Sequence, residues 1–487
     1  MANQTIIFIT FVTYLFIIFV IGWYAWRRTH SLSDYILGGR KLGSWTTAIS
    51  AGASDMSAWL LLGLPGYAYL AGLEAIWIAV GLFIGTCLNW YLVAPRLRID
   101  SELLNNALTL PEYLEYRFKD DSHLLRIISA LFILLFYLFY TSSGLVAGGK
   151  LFEAVFGLPY TWAVLIGAVT ILIYTSLGGF LAVSWTDLIQ GLLMALALSY
   201  VAIISLYNVH GFDALFASMS AQNPELNSAY TSVSGESLGI IGIVSLLGWG
   251  LGYFGQPHIL IRFMAIQSPQ KIPSARRIAL SWTFLALLCA LLIGFSGIAI
   301  LGGQLQGSDS EKVFIELLHL LLHPLPAGIC LAAILAAIMS TADSQLLVAS
   351  SALTEDIYKL FNHDSGHEAN SLITGRIAVI LITLFALVLA LQADTNVLDL
   401  VAYAWAGFGA TFGPVILLSL FWKSMLKSSA ITGMITGGLT VIIWKNIESN
   451  HWLFGLYELV PGFLIAVICI MLNQSVTNFI NATKTQH

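Results

Sequence analysis

An all-α polytopic membrane protein of about 13 transmembrane helices is the fold class this sequence predicts, on three observations. Of 487 residues, 58% are hydrophobic and 10% charged, against about 25% charged in a typical soluble domain. Mean hydropathy is +0.84. Polar punctuation recurs at intervals of about 20 residues, the length of helix that crosses a hydrocarbon core. The longest polar intervals, 96–124 and 208–237, are too short for a separate core, so a single membrane domain is expected.

The first run, 5–26, is an uncleaved span. Arg27 and Arg28 follow its apolar core, whereas a signal peptide carries its positive charge in front and a cleavage site behind. The second, 44–65, has small and polar residues through its middle; 73–95 and 125–147 are plain apolar runs. The stretch 161–207 divides into 161–183 and 188–207 around Ser184-Trp185-Thr186-Asp187, which predicts a hinge with Asp187 near a membrane interface. Span 238–256 is rich in glycine and runs into Pro257. Runs at 279–302, 326–352, 373–392, 396–421, 426–445 and 453–472 complete the set. Alternating the loops of thirteen spans places 18 of the 21 Lys and Arg residues on one side and Lys150, Lys312 and Lys445 on the other. A wrong span number would scramble that partition. The basic side reads as cytoplasmic, which predicts an N-terminus outside and a C-terminus inside.

Breakers and charges cluster in three spans. The second carries Ser50, Gly52, Ser54, Asp55 and Ser57. Backbone that leaves the helix at membrane depth survives only where protein or a cavity satisfies it, and its carbonyls can then hold a cation. Asp55 costs roughly 2.5–3.5 kcal/mol at a helix centre and marks a functional position, against the plain reading of a structural pair. The seventh carries Gly248, Gly250, Gly252, Gly255 and Pro257, with Trp249 and Tyr253 four apart on one face. Close packing of small residues explains the glycines but not the proline. The ninth places Ala337, Ser340 and Thr341 on one face, with Asp343 within a turn. Two adjacent hydroxyls suit a small hard cation, although such hydroxyls also bond back to their own helix.

Other chemistries are excluded by absence of their motifs. No GxxxxGK[ST] phosphate loop, HExxH zinc motif or GxSxG elbow occurs, so neither ATP-driven nor enzymatic action is expected. Cys87, Cys289, Cys330 and Cys469 lie in apolar runs at spacings that suit helix packing. His319 and His323 fall in an outer loop, and the net charge of −5 gives no footing for nucleic acid. A channel needs a continuous polar pore, and a sensor needs a signalling module; the isolated polar clusters favour an occluded carrier.

The segments SDMSAWLLLGLPG (54–66), YTSLGGFLA (174–182), WGLGYFGQPHIL (249–260), MSTADSQLL (339–347) and VAYAWAGFGATFGP (401–414), with a partial match at 421–438, closely resemble the sodium:solute symporter family and its proline-carrying branch. The resemblance runs from residue 1 to about 475. It implies a five-plus-five inverted-repeat core of the LeuT type, with 1–43 an extra helix and loop, 44–207 and 238–421 the two repeats, and 426–487 two further helices and a tail. The two interrupted spans then stand first in each repeat. The resemblance further implies a sodium site at the carbonyls of Ala53, Met56 and Ala337 and the hydroxyls of Ser340 and Thr341. It assigns Asp55, Arg40 and Asp187 to sodium affinity and coupling, and Ser57, Trp59, Tyr140, Trp249 and Tyr253 to solute binding. Ala58 departs from the glycine of that branch. The implied activity is import of L-proline with Na+ across a bacterial cytoplasmic membrane, with no cofactor and no obligatory protein partner. Pantothenate, another amino acid, a monocarboxylate or a sugar stand as alternative solutes, and a proton as an alternative coupling ion.

Overall fold

In hydrocarbon, a backbone N–H or C=O without an internal partner costs several kcal/mol, and a helix satisfies all of them within one segment. The computed structural model follows that rule. It describes residues 2–27, 36–175, 179–361, 368–392, 396–447 and 455–484; Arg28 and the centre of the 174–182 motif lie outside the described residues. Among these, extended structure is confined to isolated bridges, Leu42 with Ile266 and Thr231 with Ser237.

The helices are α1 (Ala2–Trp26), α2 (Ser44–Asp55), α3 (Leu64–Ala71), α4 (Ile76–Leu88), α5 (Ala94–Leu103), α6 (Leu110–Phe118) and α7 (Leu124–Phe156). Then come α8 (Tyr160–Thr175), α9 (Phe180–Asn208), α10 (Phe212–Gln222), α11 (Gly239–Leu247), α12 (Pro257–Ala265) and α13 (Ile272–Leu301). The rest are α14 (Val313–Leu321), α15 (Pro324–Leu353), α16 (Glu368–Leu391), α17 (Val397–Phe421), α18 (Lys427–Lys445) and α19 (Leu459–Lys484), apart from a single turn at Lys359–Phe361.

The predicted intervals fall on a helix or a broken helix, except that 161–183 straddles the end of α8 and the start of α9 and 453–472 begins outside the described residues. By length and hydropathy, nine helices among the described residues qualify as spans, or ten with the bent pair Gly239–Gly255 and Pro257–Ala265. One of the nine, Trp59–Leu103, runs for 45 residues. As one rod it would measure about 68 Å, roughly twice the hydrocarbon thickness. Gly72 interrupts it at φ 62°. A side chain disfavours that left-handed conformation, and a methyl there would also strike the backbone of Leu226.

Two expectations are corrected. The hinge between the fifth and sixth spans precedes Phe180, with Gly179 as the N-cap, and Ser184–Asp187 is continuous helix. The polar side chains read as turn signals instead face inward: Ser184, Thr186 and Asp187 are all buried, and Thr186 bonds back to Ala182 and Val183 at 3.0 Å. Arg262, assigned to a loop, lies in α12 with 1% exposure.

Every residue from Cys330 to Ala352 is buried, which makes α15 the axis of the molecule. Outer helices expose large apolar side chains, such as Phe8, Phe16 and Phe19 on α1 and Leu196 and Ile203 on α9. Faces of that kind are liabilities in water and ordinary in lipid. Ion pairs sort the helix ends. Lys150 meets Glu311 at 2.6 Å, and Glu311 accepts from the N–H groups of Val397 and Leu398 at the start of α17. At the other end of α17, Arg117 donates to the carbonyls of Ser419 and Trp422.

Helix α4 crosses the second interruption at almost no separation. A methyl on Gly250 would strike the Gly81 carbonyl, and one on Gly85 would strike Gly250 itself. Overpacking of this kind costs about 1–3 kcal/mol. Gly85→Ala is therefore expected to lower the thermal unfolding midpoint in detergent by several degrees. Gly148→Ala, whose methyl meets nothing within 4 Å, should match or exceed the parent. Equal midpoints for the two variants would show that the crossing has slack.

Candidate functional site

Two helices stop inside the molecule and resume after a turn. Helix α2 ends at Asp55; Met56 caps it at φ −83°, ψ 70°. The Ser57 N–H returns to the Asp55 carbonyl at 3.0 Å, and a wide turn at Trp59–Gly63 leads into α3. Short polar side chains at Ser54, Asp55 and Ser57 offer the backbone alternatives to helix bonding. Ala58 has φ −54°, ψ −23°, a conformation any L-residue accepts, so its departure from glycine costs no backbone strain. The second break begins where α11 tightens into a narrow helix over Gly248–Gly255. Gln256 is extended at φ −79°, ψ 108°, and Pro257 opens α12 at a 46° bend. Proline lacks an N–H and pushes its predecessor out of the helical region, which explains the position of the break.

The freed carbonyls find side-chain donors. Ala53 accepts from Ser340 Oγ at 2.8 Å and Thr341 Oγ1 at 3.4 Å. Ser340 also reaches the Ala337 carbonyl at 3.2 Å. The Asp55 carbonyl accepts from Trp59 Nε1 at 3.1 Å and Tyr140 Oη at 3.3 Å. At the second break, Trp405 Nε1 donates to the Trp249 carbonyl at 2.8 Å, and Asn89 Nδ2 to that of Tyr253 at 3.0 Å.

One side-chain bond joins the breaks: Tyr253 Oη donates to Asp55 Oδ2 at 2.6 Å. Asp55 is 3% exposed, its Oδ1 has no hydrogen-bond partner, and no Lys or Arg pairs with it among the described residues. Around it stand Trp59 and Trp249, with ring centroids 6.5 Å apart. Tyr253 lies edge-on to Trp405 at 5.0 Å, and Tyr140 edge-on to His258 at 5.9 Å.

Of the residues expected in the sodium site, Ala53, Ala337, Ser340 and Thr341 are thus brought together, with Met56 buried at the adjoining cap. Ser57, Trp59, Tyr140, Trp249 and Tyr253 are all buried beside the two breaks. Oxygen-only donors next to an uncompensated carboxylate suit a small hard cation, and the aromatic faces suit a compact solute. Tyr253, expected on the solute side alone, is also bonded to the carboxylate.

Asp187 and Arg40 lie elsewhere. Asp187 Oδ2 accepts from Arg262 Nη2 at 2.9 Å and Ser50 Oγ at 2.7 Å. Arg262 also binds Ser344 Oγ and the His258 carbonyl, both at 2.5 Å, so this cluster ties α2, α9, α12 and α15 together. Arg40, at the loop before α2, spans Asn106 Oδ1 (2.8 Å), the Ala107 carbonyl (2.9 Å) and the Met264 carbonyl. Burial, with Arg98 alongside, lowers its pKa to about 10, so it stays charged at neutral pH. It ties the loop before α2 to the last turn of α12 and to the loop after α5. Sequence reasoning missed Arg262, His258, Trp405 and Tyr457. A lone arginine in the apolar run ILIRFMA was the available signal for the first; Tyr457 carried none.

A helical membrane protein with two helices interrupted in its interior, their carbonyls and aromatic faces gathered at one site, is built as a secondary transporter. The chain belongs to the sodium:solute symporter family, whose model matches residues 35–437. It is 50% identical over 479 residues to the sodium/proline symporter of Escherichia coli (strain K12), covering 97% of this chain and 93% of that protein. It is 47% identical over 451 residues to the high-affinity proline transporter PutP of Bacillus subtilis (strain 168), covering 92% and 94%. A Na+-coupled sialic acid symporter, solved substrate-bound and outward-open, superposes with a TM-score of 0.78 at 20% identity, over 97% of this chain and 98% of that one. The fold is of the LeuT type.

Removing one partner of a buried ion pair strands the other charge, at a cost of about 3–5 kcal/mol, whereas replacing both with apolar residues is often neutral. Asp187→Leu and Arg262→Met are each expected to lower the detergent unfolding midpoint sharply, and the double variant to recover most of the loss. Additive losses would show that the two charges do not depend on one another.

Proposed function

We propose that this chain is a sodium-coupled symporter that imports L-proline across a bacterial cytoplasmic membrane. The proposed topology has thirteen crossings, with the N-terminus outside and the C-terminus in the cytoplasm. The observation that carries the reading is the single site at which both interrupted helices meet through Tyr253 and Asp55. The names of the two proline-transporting relatives, matched over nearly their whole length, support the solute.

In this reading, residues 44–207 and 238–421 form the two repeats, and the breaks open their first helices. Na+ sits among the carbonyls of Ala53, Met56 and Ala337 and the hydroxyls of Ser340 and Thr341. Asp55, without a cation of its own, supplies the field that favours the ion. Proline's ammonium and ring lie against Trp59, Tyr140, Trp249 and Tyr253, where cation–π contacts contribute roughly 0.5–2 kcal/mol. Ser57 and exposed amides at the breaks take its carboxylate. Asp187 and Arg40 set coupling from a distance, through the Arg262 cluster and the helix ends. The protein moves its substrates unchanged; no cofactor, nucleic acid or obligatory protein partner enters the cycle.

Uptake of radiolabelled proline into proteoliposomes tests this directly. It is expected to need sodium and to rise with an inside-negative potential, since 100 mV acts on one transferred charge with about 2.3 kcal/mol. Full uptake with potassium on both sides, or driven equally by a proton gradient, would sink the sodium assignment. Ser340→Ala with Thr341→Ala is expected to raise the sodium concentration for half-maximal uptake at least tenfold in protein that inserts normally. Unchanged sodium dependence would mean that the hydroxyls only bond to the backbone.

A further inference from the structure

Trp249 is held in two ways. Its backbone carbonyl is fixed by Trp405, but that bond leaves the side-chain torsions free. The indole itself has two ring neighbours: Trp59, at 6.5 Å and 39°, and Tyr457, which stacks on it at 5.2 Å and 19°.

Tyr457 stands just before α19, which lies outside both proposed repeats. It is tied to the walls on either side of Trp249. Its hydroxyl donates to the Ala402 carbonyl of α17 at 2.6 Å, and its N–H to Ser245 Oγ of α11 at 3.1 Å. Beneath it, Gly248 approaches Val460 so closely that a methyl would lie 2.5 Å from Val460 Cγ2. The ring is therefore anchored at both ends, and the indole it covers cannot turn outward without displacing it. Helix α17 also carries Trp405, so one tyrosine links the indole to the helix that holds its backbone.

We propose that Tyr457 is a positioning residue for the solute site: by covering the Trp249 indole it fixes how that ring faces Trp59, and with it the ring size the transporter accepts. The inference rests on the reading that Trp59 and Trp249 flank proline. It assigns a role in selectivity to the C-terminal helices, which the ten-helix core would not need for packing alone.

The experiment measures proteoliposome uptake of proline, and its competition by the six-membered-ring homologue pipecolate, for Tyr457→Leu, Tyr457→Phe and Trp249→Ala. Selectivity is a ratio taken on the same molecules, so it reads even where a variant inserts poorly. Tyr457→Leu removes a stacked pair and should raise the proline KM about three- to tenfold. Preference for proline over pipecolate should fall by a similar factor, with half-saturating sodium within twofold of the parent. Tyr457→Phe keeps the ring and should keep the preference. With Trp249→Ala already in place, Tyr457→Leu should add nothing. A Leu variant that loses only abundance or turnover, with KM and preference unchanged, overturns the proposal, as does an undiminished effect in the Trp249→Ala background. If Trp249→Ala alone leaves KM and preference intact, it is the placement of proline between the tryptophans that fails.

Discussion

A broken helix inside a membrane protein creates a debt of unpaired carbonyls, and the way this chain settles it organises everything else. In low dielectric those oxygens cannot be left bare. At the first break the donors are hydroxyls from α15 and ring groups from α3's approach and α7. At the second they come from α17 and from Asn89, just beyond α4. Apart from Trp59, four residues from the carbonyl it serves, these donors come from helices or turns distant in sequence. A carbonyl oxygen has two lone pairs. At the second break Trp249 and Tyr253 each meet one side-chain donor. At the first, Ala53 meets two hydroxyls and Asp55 the Ser57 N–H and two ring groups, so an ion there would take the place of a donor.

The bond from Tyr253 to Asp55 gives the two breaks a common reference. An effector that changes the position or charge of one must be felt at the other, and linkage makes that coupling reciprocal. In the proposed symport this is the physical content of cotransport. Sodium beside Asp55 settles the carboxylate that orients Tyr253, and a solute seated against Tyr253 settles the carboxylate that faces sodium. Neither requires a long pathway, because a single hydrogen bond separates them.

Much of this was legible in the sequence, for identifiable reasons. Glycines with a following proline, and short polar side chains in an apolar run, are local causes of a break, and both breaks lie where those residues stand. The shared face of Ala337, Ser340 and Thr341 follows from helical period alone. What was illegible depends on which way a side chain points within a bundle. Ser184-Trp185-Thr186-Asp187 has the composition of a turn, yet it is helix because its polar groups find partners inside. Arg262 has the composition of a loop charge, yet Asp187 draws it into the core. Tyr457 reaches Trp249 only because the chain entering α19 returns past α11, which no local pattern announces. The number of spans is also blurred by the breaks themselves, since short half-helices do not meet a length criterion set for whole ones.

Asp187 and Asp55, two of the buried acids, show how the same residue type is sorted by its surroundings. Asp187 has a guanidinium at 2.9 Å and a hydroxyl at 2.7 Å, so its charge is largely cancelled within the protein. A pair so enclosed gains little net stability, but removing half of it is severe, and it locks four helices whose relative positions shape the first break. Asp55 has only a phenol hydroxyl. A neutral donor lessens the cost of a buried carboxylate without neutralising it, so in the proposed symport a cation arriving beside it would favour the ionised form. In the proposed symport, an Asp55 paired as Asp187 is would leave the site stable and indifferent to sodium. Were Asp187 left as Asp55 is, the core would carry one more acid without a described cationic partner, beside Asp55 and Asp343, whose carboxylate accepts from the Thr175 hydroxyl. Arg262, one side chain in an apolar run, gives Asp187 the cationic partner that Asp55 lacks among the described residues.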